Sequence, residues 1–148
     1  EMTDIATFPT LTQVLHNDGP TFGFIAGAAI KAGQVVAFAA TGVSDTVHPA
    51  IAGTTAQPIG VAIIPAAKGA PVTVALVGSI VTVVNADDAT AIDAGEAVAD
   101  DDNTVGGTVA AAATTATGYA IGVTIEDIPK AGSGKIIVMP QIITKAAT

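Results

Sequence analysis

Two stretches of this chain repeat one another at a constant spacing, and that spacing restricts the possible folds more than any other feature. Ile30-Lys-Ala-Gly-Gln-Val-Val36 matches Ile92-Asp-Ala-Gly-Glu-Ala-Val98, an offset of 92 − 30 = 62 residues. Ile59-Gly-Val61 matches Ile121-Gly-Val123 at the same offset, as do Lys68 with Lys130 and Val74-Ala-Leu76 with Ile136-Ile-Val138. Copies this long are not solenoid units, which are shorter and more numerous. The expectation is a tandem duplication, with related halves at 30–84 and 92–143 closing one core. The plainer alternative is one strand vocabulary used twice.

The local signal is β throughout. Val, Ile and Thr dominate short runs punctuated by Gly and Pro, which predicts strands near 34–40, 58–64, 72–77, 80–84, 96–99, 105–110, 119–126 and 135–143. Gly78 interrupts one such run and reads as a bulge or corner. The Ala-rich stretch 110–116 has helical composition, but Thr114, Thr115 and Thr117 weaken that reading. The Ala-Gly pair of each copy puts Gly33 and Gly95 in a turn feeding a strand, where positive φ suits glycine alone. Gly60 and Gly122 fall inside strands, where a missing side chain lets another backbone approach. The expected fold is all-β: a small sandwich or barrel body built from two related halves, with an extended N-terminal arm. Residues 1–29 form the arm, and 30–148 a single β domain.

Composition then removes whole classes of function. The chain has 148 residues, about one domain. Its 13 acidic residues face 5 basic ones, all Lys, for a net charge of −8. Phosphate backbones and anionic membranes both need a basic stripe, so no nucleic acid and no membrane is expected as partner. The longest apolar run, 72–84, is broken by Thr73, Gly78, Ser79 and Thr82. It falls short of the roughly 18 apolar residues a membrane-spanning helix needs. Cysteine is absent, which excludes disulfides and thiolate chemistry. The N-terminal Glu-Met-Thr-Asp is acidic where a signal peptide would be basic, so none is expected. Half the residues are hydrophobic and only 12% are charged, about half the usual share. A surface so poor in charge is expected to lie against other protein.

Catalytic groups are scarce. His16 and His48 have no nucleophile or metal-ligand spacing beside them and read as solvated or packing residues. Ser44, Ser79 and Ser133 lack the strained elbow of hydrolases. Asp100-Asp-Asp-Asn103 is consecutive rather than alternating, so it reads as a solvated acidic loop before a Ca²⁺ or Mg²⁺ site. It belongs to an acidic stretch, 87–102, placed at the expected junction of the halves. Lys31 and Lys130 precede turns, but without the flanking residues of carrier domains that present a modifiable lysine. No catalytic, cofactor or metal-binding residue is expected, and no enzyme.

The order Ala32-Gly-X-Val-Val36, Pro58-Ile-Gly-Val-Ala62, Lys68-Gly-X-X-Val-X-Val74, Gly78, Ala94-Gly-X-X-Val98 and Ile121-Gly-Val123 resembles the capsid decoration, or cement, proteins of tailed viruses. The resemblance covers roughly residues 26–143. It implies an all-β homotrimer on the outer surface of an icosahedral virion, bound to the major capsid protein and stabilising the head. The N-terminal segment has larger side chains than the repeats offer: Phe8, Pro9, Leu11, Val14 and Leu15. Lying outside both copies, they are expected to bind the capsid, since a few large residues contribute most of an interface's energy. The alternative for this arm is packing on its own domain or a neighbouring subunit. The rival function is a cell-surface module of the S-layer type.

Overall fold

The computed structural model describes residues 19–38, 45–50, 57–85, 90–100, 107–111 and 118–143. These residues form ten strands in chain order: β1 (Thr21–Ala26), β2 (Val35–Phe38), β3 (Thr46–Pro49), β4 (Pro58–Ala62), β5 (Pro71–Ala75), β6 (Ile80–Val84), β7 (Ala97–Asp100), β8 (Val109–Ala111), β9 (Gly118–Thr124) and β10 (Ser133–Ile143). No helix occurs among the described residues. The fold is all-β.

The first five strands close a barrel in the order β1-β3-β2-β4-β5. Antiparallel pairing of β1 with β5, from Thr21↔Ala75 to Ile25↔Pro71, completes the circuit. The last five form a sheet in the order β6-β10-β9-β7-β8, whose edges meet at one parallel bridge, Asn85↔Val109.

Pairing in the two sets follows one plan. Val35↔Val61, Val36↔Gly60 and Ala37↔Pro58 recur as Ala97↔Val123, Val98↔Gly122 and Ala99↔Ala120, with the register slip at the same place. Val61↔Ala75 recurs as Val123↔Ile137, and the bridge Ile30↔Ala66 as Ile92↔Ile128. Among the described strands, only the opening ones depart from the 62-residue spacing. Phe22↔Val74 corresponds to Val81↔Ile136, so β1 and β6 are related by 81 − 22 = 59 residues.

Three expectations need correction. β1 lies within the segment assigned to the arm, yet it pairs on both sides and is a barrel stave; the body begins at Thr21. β6 falls in the first copy by sequence but pairs with β10, so the joint between the halves is residues 76–79, not the acidic stretch 87–102. The third concerns the core. One buried cluster, Ala26, Ile30, Val36, Val47, Ala62, Val72 and Val74, lies within the barrel. A second joins Val81, Val83, Val98, Ile121, Ile136 and Val138 of the later strands to Val35, Val61 and Ala75. Side chains alternate along a strand, so Val61 and Ala75 project from the face opposite Ala62 and Val74. The barrel's outer wall is therefore buried against the second sheet.

Backbone bonds fasten this contact. The Val35 N–H donates to the Gly107 carbonyl at 2.9 Å, and the Gly107 N–H to Ala50 at 2.6 Å. At the joint, the Gly78 N–H donates to Val138 and the Val138 N–H to Ser79, both at 2.8 Å. Gly60 and Gly122 occupy matching close approaches: a Cβ would run into the carbonyl oxygen of Ala75 in one and Ile137 in the other.

Candidate functional site

Phe8, Pro9, Leu11, Val14 and Leu15 lie outside the described residues, as do His16, Ser44, Asp101, Asp102 and Asn103. Of the remaining candidates, Lys31, Lys130 and Ser133 are exposed, whereas His48 and Ser79 pack within the fold. His48, half-buried on β3, lies against Gly27, where a Cβ would meet its imidazole. Ser79 is buried, and its hydroxyl donates to the Pro20 carbonyl at 3.4 Å.

The acidic groups of the second half hold turns together. The Asp93 N–H donates to Glu96 Oε2 at 2.9 Å, as the Lys31 N–H does to Gln34 Oε1 at 2.8 Å in the first half. Asp127 Oδ1 accepts from the Ala94 N–H at 2.9 Å, and the Thr124 hydroxyl donates to the Asp93 carbonyl at 2.7 Å. Glu126 accepts the Lys135 N–H at 2.9 Å and pairs with its ammonium at 3.5 Å. Among the described residues, no three of His, Cys, Asp and Glu are grouped as a metal ion would require. Carboxylates serving backbone N–H groups stabilise turns and leave little for proton transfer.

Two apolar surfaces remain. At one end of the barrel, Phe22 and Phe24 pack with their rings tilted by 55° and centroids 5.1 Å apart, and Phe24 meets Phe38 edge-on at 5.8 Å. Phe22 is 61% exposed, while Phe24, Phe38, Ile59 and Leu76 pack only partly against the barrel core. The sequence reading missed this cluster by assigning Phe22 and Phe24 to the arm. The signal was present: Thr21-Phe-Gly-Phe-Ile25 alternates with the two-residue period of a strand.

The second surface is the outer wall of β7, β9 and β10. Ala97, Val123 and Ile137 form a half-buried row across it, flanked by Ile125 and Met139, each 44% exposed. The Lys135–Glu126 ion pair borders the second surface beside Ile125. Both surfaces have the composition of contact surfaces.

Comparison with known proteins places this geometry in context. The chain matches no protein-family model and no curated protein. Its fold is similar to that of the crystal structure of the head fiber gp8.5 N base of bacteriophage phi29. The TM-score is 0.56 at 15% identity, over 84% of this chain and 95% of that one.

Proposed function

We propose that this chain is a structural protein of a phage head, and more specifically a decoration, or cement, protein. It binds the outer surface of an icosahedral shell through the major capsid protein and stabilises the particle, acting as a homotrimer without catalysis or cofactor. The observation that carries this reading is the fold shared with a phage head fiber base along 84% of the chain. The ordered Gly motifs of residues 26–143 point the same way.

The physics suits the role. A core of Val, Ala and Ile, with only 3% aromatic residues in the chain, buries little area per residue. Binding to a partner stabilises such a fold by mass action. Phe8, Pro9, Leu11, Val14 and Leu15 are the residues assigned to the capsid.

The test is to mix purified protein with undecorated heads and sediment them. Saturable co-sedimentation and heads that survive a higher temperature are expected. Removing residues 1–18 is expected to leave a folded protein that no longer decorates. Absence of binding to any head, together with location on a cell envelope, would favour the S-layer alternative.

A further inference from the structure

We infer that the chain associates head-to-tail with a second copy of itself, the outer wall of β7, β9 and β10 in one molecule covering the Phe22 end of the barrel in the next. The two surfaces that would meet already have counterparts that meet inside a single molecule. The cross-strand row Val35–Val61–Ala75 is fully buried, in one cluster with Val81, Val83, Ile121 and Val138. At the equivalent pairings, the row becomes Ala97–Val123–Ile137, and the residues it covers become Phe22, Phe24, Ile59 and Leu76. All of these are partly or largely exposed. Phe22 is 61% exposed where Val81 is 0% exposed.

Among the described residues, each molecule thus makes one wall-to-end contact internally and has one unused wall and one unused end left over. At four of the equivalent positions the unused elements carry the larger side chain, Phe22 for Val81, Phe24 for Val83, Ile137 for Ala75 and Met139 for Val77, as expected of surfaces that fill a gap between separate molecules, while Ile125 matches Ile63 and Ala97 replaces Val35. A second copy is the partner whose wall has this strand register. Such a contact is heterologous: it closes into a ring if the rotation permits and otherwise extends as a filament. The inference rests on the self-association proposed above but not on the capsid role, which sedimentation with heads tests separately.

The chain has no cysteine, so introduced thiols report on one contact only. Phe22→Cys and Ile137→Cys are prepared separately in the full chain, then mixed and treated with a short bismaleimide. The mixture is expected to give a covalent dimer, and neither variant alone to do so. Met139→Asp, at an exposed position, is expected to weaken association at least about tenfold in sedimentation equilibrium while leaving the melting profile at low concentration unchanged. Efficient cross-linking of Phe22→Cys with itself would mean a two-fold contact between barrel ends and would overturn the head-to-tail assignment alone. A monomer up to high concentration, unlinked in the mixture, would overturn self-association as well. If the thiol of Phe22→Cys becomes reactive only when residues 1–18 are removed, the barrel end belongs to the chain's own N-terminal segment, against the proposal.

Discussion

The first half of the molecule and the second share a pairing plan, yet equivalent positions differ in size according to what covers them. Ala75 is sealed against the neighbouring sheet, whereas the larger Ile137 at the equivalent position is half-buried on an outer wall; Val61 and Val123 differ in exposure alone. At the barrel ends the relation reverses, with Phe22 open to solvent and Val81 enclosed. Backbone register is set by pleat and turn geometry, which both halves satisfy. Side-chain volume answers instead to the space a neighbour leaves, because interiors pack at nearly crystalline density. A duplicated backbone can therefore acquire two unlike surfaces without changing its strand plan.

The most damaging way to test the equivalence is at Gly60 and Gly122. A branched side chain at either must displace the backbone of the adjoining strand. Gly60→Val and Gly122→Val are each expected to cost about 3 kcal/mol or more in urea unfolding, and by similar amounts. Tolerance at one position alone would break the structural match. Next comes the wall row. Val61→Ala is expected to cost about 2 kcal/mol, while Val123→Ala, measured on dilute protein, costs under about 1 kcal/mol. Equal losses would mean that Val61 is not held by the second sheet in the way its burial indicates.

A smaller effect sharpens the comparison where the copies differ in residue but not in backbone. Ala131, with φ 53°, stands where the first half has Gly69 at φ 84°. Ala131→Gly is expected to stabilise the protein by about 1 kcal/mol and Gly69→Ala to destabilise it similarly, since a Cβ in the left-handed region costs roughly 1–2 kcal/mol. Paired thermal melts should show the opposite signs. The smallest effect belongs to Lys135. Its ion pair with Glu126 is half-exposed at 3.5 Å and has no counterpart at Thr73 and Ile64. Lys135→Gln is expected to change stability by less than about 0.5 kcal/mol, with little response to salt.

Much of this architecture was legible in the residues. Strands β2 and β4 through β10 lie where Val/Ile/Thr runs between glycines predict them, because β-branched residues fit a pleated half-buried surface. β3 was missed because Thr46-Val-His-Pro49 is short and ends on a proline, which pairs with Val36 at the strand's last position. β1 was missed because it precedes the first repeated motif and so fell in the segment assigned to the arm, residues 1–29. Its relation to β6 was hidden as well: the link from Asn85 to Ile92 is three residues longer than that from Ala26 to Ile30, so a search at constant spacing passes over the pair. The unlike exposure of matching rows was not legible, since it depends on how the halves pack. The residues assigned to the capsid, Phe8 to Leu15, lie outside the described structure.

The short joint at residues 76–79 also sets an order of events during synthesis. Every strand pairing of the barrel lies within residues 21–75, so the barrel can close before β6 to β10 have been made. Its closure must bring Thr21 to Ala75, a distant contact that forms slowly. Until the second half arrives, Val35, Val61 and Ala75 face solvent as a sticky apolar row, the kind of transient surface that drives misassembly on the ribosome. A fragment of residues 19–78 is accordingly expected to form the barrel yet self-associate at micromolar concentration, and Val61→Lys to render it monomeric. A wild-type fragment that remains monomeric would show that the growing chain passes through no such vulnerable stage.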